Sequence, residues 1–186
     1  MGRLDETLDA DLVEKVRAGN KVAFGELVEP HLPRLLGLAR RMLGTAEEAE
    51  DALQNALAST WVARAKLDPQ KPAAAYLTTV TLNKCRDRLR RRKVTQFLGF
   101  GTFEPDMPVA AVQPDAEAEL ADRQELEMVS RAIDRLPVRL REALVLVAID
   151  GRSQREAAEL LGVTEKTIET RVYRARQRLR EKLDFV

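Results

Sequence analysis

The chain has 186 residues, 45% of them hydrophobic and 33% charged, with 31 Lys+Arg against 30 Asp+Glu for a net charge of +1. That balance excludes a uniformly basic nucleic-acid coat protein, the apolar content excludes a disordered chain, and the length allows one ordinary domain or two small ones. One Cys and one His exclude an internal disulfide and a four-ligand zinc site without several carboxylates, while 4% aromatics in a Leu-, Ala-, Glu- and Arg-led composition predict an all-α fold.

In the first half, Leu12, Val13 and Val16, then Phe24, Leu27 and Val28, recur at three- and four-residue spacing on either side of Gly19-Asn20, predicting two short helices. After Pro33 the run Leu35, Leu36, Leu38, Ala39, Met42, Leu43 keeps the helical period, and Gly44 stands where a C-cap belongs. Thr45-Ala46-Glu47-Glu48 has the spacing of a capping box and opens a helix through Ala49, Leu53, Leu57 and Trp61, with Trp61 on the apolar stripe and so expected in the core. A fourth helix, from about Ala73 to Lys93, turns Leu77, Val80 or Thr81, and Leu82 inward before a basic run from Lys84 to Lys93. Four such helices bury one small core.

From about Val94 to Arg123 the period is lost among glycines and prolines, as in Gly99-Phe100-Gly101 and Pro105-Asp106-Met107-Pro108, which reads as a flexible linker. A loop of that length inside one compact domain is uncommon, so the chain is expected to form two domains. Beyond it, Leu126, Val129, Ile133 and Leu136 form one helix, and Pro137, at a first helical position, starts the next through Leu140, Ala143, Leu144 and Val147 to Gly151. Ser153-Gln154-Arg155-Glu156 is a second capping box, Gly162-Val163 a turn, and Thr164 the N-cap of a last helix carrying Ile168, Val172, Ala175 and Leu179.

Charge is distributed unevenly along these elements. Residues 1–70 carry −3, residues 71–93 +7, residues 97–130 −7, residues 131–150 +1 and residues 151–182 +4. The near-neutral total therefore conceals two basic segments on either side of an acidic one.

In the second half the spacing is specific. A helix-turn-helix needs a small residue where its helices cross, a residue tolerant of positive φ in the turn and a β-branched anchor on the second helix; Ala158, Gly162 and Ile168 stand in that order. The second helix then presents Thr164, Glu165, Lys166, Thr167, Thr170 and Arg171 in the part that meets base edges of the major groove, and Arg174, Arg176, Arg178, Arg180 and Lys182 further along, suited to phosphate. Glu169 stands among them as an acceptor for cytosine, a partner for a cation, or an outward-facing residue.

Taken together, Ala23-Phe24-Gly25-Glu26-Leu27, Ala49 to Ala56, Asn83 to Arg92, Leu136-Pro137-Val138-Arg139-Leu140-Arg141-Glu142-Ala143 and Arg171 to Leu179 resemble, in order and spacing from Asp11 to Leu183, the bacterial sigma factors of the extracytoplasmic-function type. The resemblance implies two small helical domains: sigma region 2, a four-helix domain over 1–93, and sigma region 4, a helix-turn-helix domain over 126–186, joined by an acidic flexible linker over 94–125. It implies that Asp51, Gln54 and Asn55 dock on the β′ clamp helices of core RNA polymerase, with Asn55 where the family commonly has an acidic residue, and that the second domain meets the β flap. It implies −10 promoter recognition and melting by Tyr76, Asn83, Arg86, Asp87 and Arg90 with the loop Lys66 to Ala73, and −35 recognition by Lys166, Thr167, Thr170, Arg171, Arg174 and Arg176. An anti-sigma protein clamping the two domains is a further implied partner, and no cofactor is implied.

Opening DNA without ATP requires unpaired bases to be held in pockets or on aromatic faces, at an unpairing cost of a few kcal/mol. Tyr76 is the aromatic available near the basic helix, which predicts a factor demanding about promoter sequence. The alternative is a free-standing helix-turn-helix regulator, which a gel shift of duplex DNA by the isolated protein would favour. An enzyme is not expected, because the sequence lacks a Gly-rich phosphate loop, a G-x-S-x-G elbow or paired ligands around His31. No apolar run approaches the roughly 18 residues that cross a bilayer, so a soluble, cytoplasmic protein without membrane insertion is expected. Cys85, among Lys84, Arg86 and Arg88, is either a small residue on a helix or a redox sensor with a depressed pKa.

Overall fold

A computed structural model describes residues 10–97 and 118–183, with side chains over 10–95 and 126–183, and the regular elements among the described residues are all helical. The first half runs α1 (Ala10–Arg17), α2 (Lys21–Val28), a 3-10 turn (Glu29–His31), α3 (Leu32–Leu43), α4 (Ala46–Val62), a second 3-10 turn (Arg64–Lys66) and α5 (Ala73–Phe97). The second half runs α6 (Ala118–Asp134), α7 (Val138–Leu144), a π-helical turn (Val145–Ile149), α8 (Gln154–Leu161) and α9 (Glu165–Leu183). Both α5 and α6 reach into the span read as linker, whose centre, 98–117, lies outside the described residues, as do 1–9 and 184–186.

Local chemistry explains the breaks. Gly19 takes φ +92, and the Asn20 side chain accepts from the amides of Val22 and Ala23 at 3.0 and 3.1 Å, satisfying two donors that a helix start leaves orphaned. Gly44 ends α3 at φ +83, its N–H donating to the Arg40 carbonyl at 2.9 Å. Two capping boxes of the same spacing have different outcomes. At α8, Ser153 and Glu156 exchange both hydrogen bonds. At α4, Thr45 Oγ1 accepts from the Glu48 amide, but the Glu48 carboxylate turns to Arg88 and Arg92 of α5 rather than back to the Thr45 amide. Pro137 is not the first helical residue: at ψ 137 it is extended and caps α7, which starts at Val138.

Within the first half, α1 and α2 bury Val13, Val16, Ala23 and Leu27 around Leu67, while Val28, Leu35, Leu53 and Leu77 pack where α3, α4 and α5 meet. Trp61 is half-buried at the edge of the first group, its ring tilted against Phe24 at a centroid distance of 5.3 Å, with the Arg64 guanidinium 4.8 Å above it. In the second half, Ile133, Leu136, Leu144 and Ala175 tie α6 and α7 to α9.

The largest core belongs to neither half alone. Leu38, Met42 and Leu43 of α3 and Leu82, Cys85 and Leu89 of α5 form one cluster with Ala143, Val145, Leu146, Ala157, Ala158, Ile168 and Val172. Each half buries clusters of its own, and the two helical units share this further one. Gly44 belongs to this seam as well, because a Cβ there would sit 2.5 Å from an Asp134 carboxylate oxygen.

Candidate nucleic-acid interface

The basic run of α5 winds around the helix, so its cations divide into two sets by what they touch. Arg88 and Arg92, four residues apart and so on one face, converge on Glu48, whose side chain is 9% exposed. Arg92 also donates to the Leu43 carbonyl at 3.1 Å, which joins α5 to the end of α3. These two arginines have a structural task. Arg86, Arg90, Arg91 and Lys93 lie elsewhere on the helix, with Arg90, Arg91 and Lys93 exposed.

Of the residues expected to read −10 DNA, Asn83 is exposed and its Oδ1 accepts from Arg86 at 2.8 Å, which aims the Asn83 amide nitrogen outward as a donor. Asp87 pairs with Arg90 one helical turn away. Tyr76 is half-buried and lines a cleft of about 480 Å³ with Lys66, Lys71, Pro72 and Thr79. The loop that forms this cleft is fixed by Asp68, whose carboxylate accepts from the Gln70 amide at 2.9 Å and pairs with Lys71 at 3.4 Å. That amide holds the Asp68 carboxyl below its ordinary value. Tyr76, Asn83 and Arg90, seven residues apart, stand on one face of α5, and Tyr76 shares its cleft with the Lys66 to Ala73 loop.

In the second half, Ala157 and Ala158 are buried where α8 crosses α9, Gly162 turns the chain at φ +64, and Ile168 is fully buried. Thr164 Oγ1 accepts from the Thr167 amide at 3.2 Å and meets the Thr167 hydroxyl at 2.9 Å, while Thr170 donates its hydroxyl to the Lys166 carbonyl at 2.8 Å. Lys166 and Glu169 are both exposed and pair at 2.8 Å, so of the three readings of Glu169 the structure shows the partner for a cation. Arg174 and Arg176 are exposed. Arg171, by contrast, is half-buried in a cleft of about 720 Å³ that it shares with Arg86, Arg90, Lys93, Arg139 and Glu142.

That cleft is part of a polar seam that sequence reasoning missed. Glu142, buried on α7, accepts from Arg86 Nε. Asp150 takes Arg34 of α3 at 2.8 Å and Arg152 at 3.3 Å, and Arg34 also donates to the Thr78 hydroxyl at 2.6 Å. Arg141 is almost fully buried, donating to the carbonyls of Met42 at 2.6 Å and of Asp134. Burial holds the Arg141 pKa down and pushes the Asp134 carboxyl up, each opposed by the other's charge. The available signal was two acidic residues, Glu142 and Asp150, within an otherwise basic or apolar stretch; their partners lie 56 and 116 residues away.

The three residues expected on polymerase lie on α4, all exposed, with Asn55 Nδ2 donating to the Asp51 carbonyl at 2.7 Å. Cys85 does not sit among its charged sequence neighbours. It turns into the shared core at 0% exposure, and burial, with Glu142 adding to it, pushes its thiol up to about 12. The redox-sensor expectation is corrected accordingly, since the reactive species is the thiolate.

Among the described residues no group of His, Cys, Asp and Glu is arranged to hold a metal ion, and no helix is long and apolar enough to cross a membrane. Comparison with known proteins places matches on both halves. Residues 27–95 match the family described as Sigma-70 region 2, and residues 126–179 the family described as Sigma-70, region 4. The chain is 38% identical to the RNA polymerase sigma factor CnrH of Cupriavidus metallidurans over 183 residues, covering 96% of each chain. It is 35% identical to the ECF RNA polymerase sigma factor SigM of Mycobacterium tuberculosis, over 100% of this chain and 89% of that one. Among solved structures it is similar to CnrH in complex with the cytosolic domain of CnrY, with a TM-score of 0.68, 33% identity and coverage of 95% of this chain and 97% of that one. It is also similar to the sigma factor RpoE in complex with the anti-sigma factor NepR from Bartonella quintana, with a TM-score of 0.69, 27% identity and coverage of 87% and 96%.

Proposed function

The chain belongs to the sigma-70 family, in its extracytoplasmic-function group, and on that premise we infer that it is an alternative sigma factor: it binds core RNA polymerase, directs initiation at promoters with matching −10 and −35 elements, and is held in check by an anti-sigma protein. It carries out no catalytic step of its own; the polymerase supplies the chemistry. The observation that carries the reading is the pair of basic helical faces, on α5 and α9, lying in the order and on the residues that match regions 2 and 4.

In this reading residues 1–93 contact −10 DNA, residues 126–186 contact −35 DNA, and 94–125 connect them. Lys166, Thr167, Thr170 and Arg171 read base edges, while Arg174 and Arg176 neutralise phosphates and set register. Tyr76 offers a face on which one unpaired base stacks, and the Asn83 amide nitrogen donates to a base acceptor. Asp51, Gln54 and Asn55 present acceptors and amides to the polymerase from one exposed side of α4. The relatives solved in complex with CnrY and with the anti-sigma factor NepR support an anti-sigma partner for this chain.

The test is overexpression followed by sequencing of transcript 5′ ends, with initiation reconstituted from the purified chain and core enzyme. Induced start sites sharing spaced −35 and −10 motifs, reproduced in vitro, are the expected result. Tight duplex binding by the isolated chain with no polymerase-dependent initiation would overturn it in favour of a free-standing regulator.

A further inference from the structure

We propose that the cavity where α5, α6 and α7 meet the end of α3 is a binding site for a small polyphosphate compound, gripped by Lys93, Arg131 and Arg135 at its rim and by Arg141 inside. The cavity measures about 550 Å³, a size that holds small ligands. Five cations line it, Arg92 and Lys93 from α5, Arg131 and Arg135 from α6 and its end, and Arg141 from α7. Asp134 is the sole carboxylate among the described residues lining it. None of the residues assigned above to promoter DNA or to polymerase belongs to this lining, so the inference stands or falls apart from those assignments.

The five cations differ in what already holds them. Arg92 is committed to Glu48 and to the Leu43 carbonyl. Arg131 reaches Glu127 at 3.6 Å from a side chain that is 60% exposed, a pair that costs little to exchange. Lys93 and Arg135 are exposed and enter no ion pair among the described residues. Arg141 is the deepest: at 4% exposure it donates from Nη1 and Nη2 to main-chain carbonyls, yet its Nε–H has no hydrogen-bond partner among the described residues. A buried charged donor left unmade is costly, and a phosphate oxygen is the acceptor that meets a guanidinium best. One phosphate group does not answer cations from three elements, whereas two or three linked phosphates do. A nucleic-acid backbone, lying on an open surface, does not reach a side chain so deeply buried. Leu43, Leu89, Leu136 and Pro137 form the apolar part of the lining, on which an organic moiety attached to the phosphates could lie. Asp134 opposes the ligand. Burial pushes its carboxyl up, against the pull of Arg141 and then of Arg92, so this carboxylate is poorly solvated where it competes with phosphate for Arg141.

Isothermal titration calorimetry of the full-length chain, without polymerase and at an ionic strength of about 0.15 M, tests the site with two probes, metal-free ATP and inorganic triphosphate. Saturable binding of one molecule per chain is expected, with a rise in melting temperature as the probe is added. ATP binding the more tightly assigns the apolar lining to a nucleoside; equal affinities assign the site to the phosphates alone. Lys93→Gln and Arg135→Gln, at exposed positions whose loss leaves helical circular dichroism unchanged, are each expected to weaken binding by about tenfold. Asp134→Asn, which removes the competing charge and keeps the shape, is expected to tighten it by about threefold or more. Arg17→Gln, which removes the same charge from an exposed pair on α1, leaves the affinity as it was. Absence of saturable binding for both probes overturns the proposal. So does an affinity that falls as far in Arg17→Gln as in the two cavity variants, since that describes diffuse attraction to surface cations, or one that is unchanged in both cavity variants. Promoter-directed initiation by the holoenzyme is measured separately, and its failure bears on the functional reading alone.

Discussion

Lys166 and Glu169 form an exposed pair at 2.8 Å, and pairs of that kind contribute little to folding, so Lys166 is free to exchange its carboxylate for a base edge. Lys166→Ala in the holoenzyme is expected to weaken binding to −35 DNA by about 1–3 kcal/mol and to relax sequence preference at one position, whereas Arg176→Ala is expected to weaken binding evenly across sequences and to lower the salt slope by about 1. Fluorescence anisotropy over a salt series and a set of single-base promoter variants measures both. At Cys85 burial overrides the neighbouring cations: with its thiol pushed up to about 12, the wild-type factor is expected to initiate equally well before and after peroxide treatment at neutral pH, and Cys85→Ser to behave identically. Run-off transcription checks this. The sequence shows Lys84, Arg86 and Arg88 beside Cys85 along the chain but not the direction in which α5 turns each of them, and that direction decides the chemistry.

Helix starts explain why some elements were legible and others were not. Ser153 and Glu156 close a box that uses nothing outside α8, so its spacing alone foretold it. The same spacing at Thr45 and Glu48 closes only partly, because two guanidiniums arriving from α5 outcompete one backbone amide for the carboxylate, and that competition is invisible in a local window. Ser153→Ala is expected to cost about 1 kcal/mol in thermal or urea denaturation. The pH dependence has a definite sign. The Ser153 hydroxyl, and then its amide, hold the Glu156 carboxyl below its ordinary value, so the stabilisation is fully present above the ordinary glutamate pKa and is lost as pH falls through the lower, folded value. In Ser153→Ala much of that acid-side loss disappears, which melts recorded between neutral and acidic pH would show. The turn at Gly162 was legible because left-handed backbone favours glycine, and the wide turn Val145–Ile149 was not, because nothing in an apolar run distinguishes a π-helical from an α-helical ladder.

At the scale of the molecule, helical content, the two units and the basic faces could be read from period and charge, whereas the seam could not. Apolar residues on α3, α5, α7 and α9 declare that they are buried without declaring against which neighbour, and a two-unit reading assigns each to its own half. The shared core has a measurable consequence: Leu146→Ala, a fully buried position in that cluster, is expected to destabilise the chain by about 2–5 kcal/mol and to lower the melting of both halves together in a single transition followed by circular dichroism. A consequence of another kind follows from the direction of synthesis. Leu82 and Leu89 leave the ribosome well before their partners Ile168 and Val172, and at about 5–20 residues per second the face they form stays uncovered for roughly 4 to 17 seconds. Throughout that interval the nascent first half offers an apolar patch that its own chain has yet to supply the means to cover, so whatever reaches it during translation meets the factor before it has closed.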